Sequence, residues 1–158
     1  MDLPNRKPAR LSWYDYSTPG AYFITICTYD KQCIFGTISK LNELGEIAKN
    51  DMLRMNSHYE NIRLDNFIVM PNHIHAIVII ENKNEMESKM KLDDVIGLYK
   101  SGVSRKIRKI KPGMKVWQRS FQDHVIRNQQ EYEKIWQYIQ FNYQKWKDDC
   151  FYAEMDEI

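Results

Sequence analysis

Residues 61–80, NIRLDNFIVMPNHIHAIVII, constrain the fold of this chain more than any other stretch. β-Branched and aromatic residues recur on both sides of the pair Pro71-Asn72, a composition suited to pleated strands. Proline has no amide hydrogen to give to a ladder, so one unbroken central strand through Pro71 is disfavoured. Two strands, 61–70 and 73–80, joined by a turn at Pro71-Asn72 satisfy both halves.

The flanking segments complete the pattern. GAYFITICTYD, residues 20–30, follows Pro19 and reads as a first strand, with QCIFGTI, 32–38, as its antiparallel neighbour. In residues 41–55, Leu41, Leu44, Ile47, Ala48, Met52 and Met55 fall at helical spacing. A polar connection, 82–91, leads to LDDVIGLYKSGVSRKIRKI, where Val95, Leu98, Tyr99, Val103 and Ile107 share a helical face despite Gly97 and Gly102. Pro112-Gly113 ends that helix. KVWQRSFQDHVI, 115–126, is strand-like, and residues 129–149 read as a last helix with Tyr132, Ile135, Ile139 and Trp146 along a stripe. The order is strand, helix, strand, strand, helix, strand, then an additional helix. This predicts an α+β, ferredoxin-like (RRM-like) βαββαβ antiparallel sheet with helices on one face and the other face available.

Length supports one domain, 1–158, with its core in 12–147. The formal net charge of +2 is too small to imply nucleic acid, but its distribution is uneven. No Asp or Glu occurs from Val95 to Gln122, whereas Lys100, Arg105, Lys106, Arg108, Lys109, Lys111, Lys115 and Arg119 do. Such a run is either a solvated helix face or a surface for phosphates. Cys27, Cys33 and Cys150 are odd in number and lack CxxC spacing, which fits a reducing cytoplasm. No segment reaches signal-peptide or transmembrane character, so a cytoplasmic protein without membrane association is expected.

Residues two apart in a strand project to the same face, so His73 and His75 point together while Ile74 points away. Two imidazoles on one face are half of a metal site or a pair facing phosphate. No HExxH or CxxC is present, so the usual zinc motifs are absent. In the last helix Tyr138 and Asn142 are four apart and share a face. An Asn amide oxygen suits Mg²⁺ or Mn²⁺, and a tyrosine beside such an ion could attack phosphorus. Tyr132 and Tyr143 lie in the same segment, and periodicity does not choose among the three.

Three pieces, SWYDYSTPGAYFITICTYDKQCIFG, LDNFIVMPNHIHAIVII and VWQRSFQDHVIRNQQEYEKIWQYIQFN, together resemble the single-tyrosine HUH transposases, most closely the REP-associated tyrosine transposases. The likeness runs in order from Trp13 to Trp146. It implies that the histidine–hydrophobic–histidine motif falls on His73, Ile74 and His75. The nucleophile, ten residues beyond Asn128 of the IRN piece, falls on Tyr138, and the polar residue that completes the metal site falls on Asn142. Many relatives carry proline after that position, where this chain has Tyr143. The implied activity is a metal-dependent transesterase that cuts single-stranded DNA beside a hairpin or palindrome. It would do so through a 5′-phosphotyrosine link that keeps the bond energy for rejoining. Lys100, Arg105, Lys106, Arg108, Lys109, Lys115 and Arg119 would meet phosphates. Relatives work as monomers or as homodimers that share parts, and the sequence leaves that choice open.

Other readings make different demands. A domesticated relative would bind hairpin DNA without cutting it. An RRM-type RNA binder would need an RNP-like aromatic signature, which is not visible. A hydrolase that activates water would stay active without the Tyr138 hydroxyl. His124, near the end of the last strand segment, reads as structural.

Overall fold

The computed structural model describes residues 20–81 and 91–143. Four strands, β1 (Gly20–Cys27), β2 (Ile62–Met70), β3 (His73–Ile80) and β4 (Gln122–Ile126), form one sheet in the order β2-β3-β1-β4. Every neighbouring pair is antiparallel. Helices α1 (Glu43–His58) and α2 (Leu92–Ile110) fall between strands, and α3 (Gln129–Gln140) follows β4. This is the expected βαββαβ order with its additional helix, and the ferredoxin-like α+β class holds. Trp13, Trp146, Cys150, the connection 82–90 and residues 144–149 of the expected last helix lie outside the described residues. Helix α3 itself ends at Gln140 with Phe141 as its C-cap, short of the expected helix 129–149.

Strand alternation sorts the sheet into two faces. Tyr22, Ile24 and Ile26 of β1 join Ile74, Ala76, Val78 and Ile80 of β3 beneath α1 and α2. Met52 from α1 and Ile96, Val103 and Ile107 from α2 fill the space between, all fully buried. The opposite face is not left bare. Ile135 and Ile139 of α3 pack there on Phe23, Ile68, Met70 and Ile77. A bulge between Leu64 and Asn66 changes the parity of β2. Ile62 and Leu64 therefore face α1 and α2, whereas Ile68 and Met70 face α3.

Asn42 and Asn128 cap α1 and α3, their side chains accepting from Gly45 N and Glu131 N at 2.9 and 2.8 Å. Asp93 and Asp94 in the first turn of α2, with Arg108 and Lys109 in its last, match the helix dipole. Two strand expectations shorten or fail. Residues 115–121 are irregular apart from a single bridge between Trp117 and Thr28, so only 122–126 pair as β4. Residues 32–38 do not form a strand beside β1, because β3 and β4 already take both its edges. Instead this segment folds over the turn at 71–72. Phe35 donates its amide to Pro71 O at 3.1 Å, and its buried ring lies 5.5 Å from Trp117.

Candidate active site

The β2-β3-β1 register lays out two rows on the face beneath α3. Ile68, His75 and Thr25 are aligned across the sheet, and Met70, His73 and Cys27 form the next row. Both histidines are wholly buried, and their ring centroids are 4.5 Å apart. The expected shared projection of His73 and His75 is therefore what the pleat produces.

Each ring is held from behind through Nδ1. His75 Nδ1 lies 2.9 Å from the buried Thr25 hydroxyl, and His73 Nδ1 lies 2.7 Å from Asn72 Oδ1. Phe23 stacks on His75 at 5.3 Å and 27°. Phe23, Thr25 and Asn72 were not singled out from sequence as site residues. The signal was present for two of them: Phe23 and Thr25 are two apart in β1, and Thr25 is a hydroxyl inside an apolar run.

Helix α3 brings the phenol. Tyr138 Oη lies 3.4 Å from His75 Nε2, and its ring meets Phe23 edge-on at 6.2 Å. Several contacts seat the helix: His124 and Glu131 pair through Nε2 and Oε1, and Asn66 Nδ2 donates to Trp136 O at 3.3 Å. His124 is thus structural, as expected. The three candidate tyrosines separate clearly. Tyr132 packs at the margin of the α3 core. Tyr143 donates to Val69 O at 3.1 Å, and its phenol is held above the ordinary range by burial and then by the Glu46 carboxylate. Of the three, Tyr138 lies against a histidine of the sheet.

Asn142 lies just past α3, fully buried. Two buried atoms, His73 Nε2 and Asn142 Oδ1, have no hydrogen-bond partner among the described residues, although both residues interact through other contacts. Imidazole nitrogen and amide oxygen are donors that a small divalent cation accepts. The donor set therefore fits Mg²⁺ or Mn²⁺. Among the described residues no cluster of three His, Cys, Asp or Glu side chains offers an alternative.

The basic residues divide. Lys106 pairs with Asp51 of α1, and Lys100 Nζ donates to Gln118 O and Ser120 O at 2.8 and 2.7 Å. Arg108 Nε donates to Met114 O at 3.1 Å. Arg105 and Lys109 are exposed on α2, in the layer opposite the histidines. Lys115 and Arg119 are exposed on the loop that returns along the end of β1, where Gln118 N donates to Cys27 O and Tyr29 N to Val116 O. Cys27 is the strand partner of His73, so this loop borders the site. Lys115 Nζ sits 5.1 Å from the Tyr29 ring centroid.

No helix among the described residues is long and apolar enough to cross a membrane. Residues 21–142 match the model of the family described as Transposase IS200 like. An uncharacterised protein of Haemophilus influenzae is 32% identical, with 96% of each chain covered. Two solved structures share the fold. One, a REP-associated tyrosine transposase bound to a REP hairpin, has a TM-score of 0.58 at 16% identity, covering 89% of this chain and 74% of that one. The other, a candidate transposase from Deinococcus radiodurans, has a TM-score of 0.52 at 16% identity, covering 85% and 96%. By the match over residues 21–142 and the identity to its Haemophilus relative, this chain belongs to the IS200-like transposase family.

Proposed function

We propose that this transposase-family chain cleaves and rejoins single-stranded DNA beside a hairpin or imperfect palindrome, with Tyr138 as nucleophile. The observation that carries the reading is the Tyr138 hydroxyl, placed against His75, whose ring in turn packs against that of His73 on the same sheet face. His73, His75 and Asn142 would hold a Mg²⁺ or Mn²⁺ ion, which supplies Lewis-acid stabilisation of charge on the scissile phosphate. Tyr138 Oη forms a bond to phosphorus as the P–O3′ bond breaks. The phenol loses its proton, and the departing 3′-oxygen gains one. The product is a 5′-phosphotyrosine and a free 3′-OH, and attack by another 3′-OH reverses the step without ATP.

Phe23 and Thr25 fix the His75 ring in this scheme, and α3 delivers the phenol. Phosphates flanking the cut would meet Lys115 and Arg119, whose loop borders His73. Arg105 and Lys109 could engage only DNA that wraps to the α2 side. A REP-associated transposase of the same fold binds a REP hairpin, which supports a hairpin as the substrate proposed here. Tyr138 and His75 meeting within one chain supports a site built in cis.

The test is a denaturing gel with labelled hairpin-flanked single-stranded DNA, with Mg²⁺ or Mn²⁺ and with chelator. A protein–DNA adduct that needs the ion and is absent in Tyr138→Phe supports the proposal. Cleavage without adduct, retained in Tyr138→Phe, would instead identify a hydrolase. DNA bound but uncut would identify a hairpin-binding relative without catalysis.

A further inference from the structure

Asn72 occupies a turn position where a solvated polar residue would suffice, yet it is 1% exposed and each part of it is engaged. Its Nδ2 donates to Lys31 O at 3.2 Å, and its Oδ1 lies 2.7 Å from His73 Nδ1. Its backbone carbonyl accepts from both Thr28 N and Thr28 Oγ1 at 3.0 Å. The Lys31 carbonyl is presented by two successive residues in left-handed conformation, Asp30 (φ 54°) and Lys31 (φ 52°). Neither is glycine, so the turn carries backbone strain of the kind that persists only where its surroundings hold it.

Hydrogen-bond direction then fixes the imidazole. A carbonyl can only accept, so the amide NH₂ of Asn72 must face Lys31, and its oxygen must face His73. An amide oxygen also only accepts, so Nδ1 of neutral His73 must carry the ring proton. The lone pair is thereby placed on Nε2. We infer that Asn72 is a positioning residue for the site, which sets the tautomer of His73 through a relay from the Lys31 carbonyl. This deepens the metal-dependent reading above and rests on it for its consequence, although the tautomer itself does not. Partners behind a ligating histidine govern ligand orientation and basicity, and losing one typically costs roughly 10–100-fold in metal affinity.

The experiment reads ring-nitrogen shifts of His73 by two-dimensional ¹⁵N NMR on the metal-free full chain. It is run at about pH 8, well above the unperturbed imidazole pKa of about 6.5. Wild type is expected to show a protonated Nδ1 and a bare Nε2. Asn72→Asp loses the donor to Lys31 O, but both of its oxygens accept, so no relay is needed to choose the end facing His73 and that tautomer should persist. Asn72→Leu, which keeps size without an acceptor, should lose it. Mn²⁺ titration should show affinity close to wild type for Asn72→Asp and roughly 10–100-fold weaker for Asn72→Leu. A wild-type His73 protonated at Nε2, or Asn72→Leu with the wild-type tautomer and Mn²⁺ affinity, overturns the inference. Absence of a DNA adduct with the wild-type tautomer intact would count against the transesterase reading alone.

Discussion

Truncating Ile135 to alanine should loosen the nucleophile's helix while leaving the rest of the fold closed. Ile135 is fully buried between α3 and the sheet, against a cluster distinct from the one beneath α1 and α2. The change removes three carbons, worth about 2.4 kcal/mol at about 0.8 kcal/mol each. A cavity that collapses only in part brings the cost to about 3 kcal/mol. That corresponds to roughly a 100-fold rise in the equilibrium for undocking α3. Hydrogen exchange of the α3 amides measures it. Ile96→Ala, which deletes the same three carbons from the fully buried α2 layer, is the control. It should lower global stability by a similar amount without accelerating α3 exchange, because α3 opens with that layer intact. Adduct formation should fall in Ile135→Ala, since Tyr138 travels with the helix. If α3 amides respond equally to both variants, the helix opens only with the whole domain, and the reasoning fails.

Other expectations follow from single contacts. Tyr143→Phe should retain adduct formation, because its hydroxyl is committed to Val69; loss of the adduct would reassign the nucleophile. Replacing Lys115 or Arg119 by alanine should each reduce the salt slope of DNA binding by about 1, while Lys106→Ala should leave it unchanged, since Asp51 holds that ammonium. Gly45→Ala should destabilise the fold, seen as a lowered thermal midpoint, because the added Cβ would stand 2.3 Å from Phe35 O. Tyr99 donates to Ala48 O, and burial, then Asp51, raises its phenol well above the usual range. The stability it contributes is full below the unfolded value of about 10 and is lost as pH rises from there towards the folded one. Tyr99→Phe should therefore cost about 1 kcal/mol near neutrality and show a shallower alkaline decline in denaturant titrations.

The fold was legible where periodicity and turn chemistry agreed. The hairpin at Pro71-Asn72 and helix 92–110 stand as read, and Gly97 does not break the helix, whose buried face is held by Val95, Ile96 and Tyr99 around it. Legibility failed where tertiary demand outweighed local composition. QCIFGTI has a strand's residues, but both edges of β1 are taken, so Phe35 serves as a plug over a turn. KVWQRSF has a strand's composition for a related reason, since its Val116 and Phe121 are buried from an irregular loop. The other sheet face was expected to be available, yet the stripe of Ile135 and Ile139 already contained the answer that α3 would cover it.

At the site, the paired histidines were readable from strand parity alone. Which tyrosine joins them was not readable from periodicity, and only the family resemblance pointed to Tyr138, because Tyr132, Tyr138 and Tyr143 differ in what the fold places opposite them rather than in helical spacing. The supporting groups were harder still. Asn72 looked like turn chemistry, and its hold on His73 depends on the Lys31 carbonyl, a residue 41 positions away. The basic run likewise could not be divided in advance, since Asp51 and the carbonyls of Gln118 and Ser120 occupy part of it.

The most direct measurement maps the covalent bond. Protein incubated with cleavable hairpin DNA and Mn²⁺, then digested with nuclease and protease, is sequenced by tandem mass spectrometry for a nucleotide-bearing peptide. The account predicts a nucleotide attached through phosphate to Tyr138, absent when chelator is added. A nucleotide on Tyr132 or Tyr143, or cleaved DNA with no modified peptide at all, would contradict it.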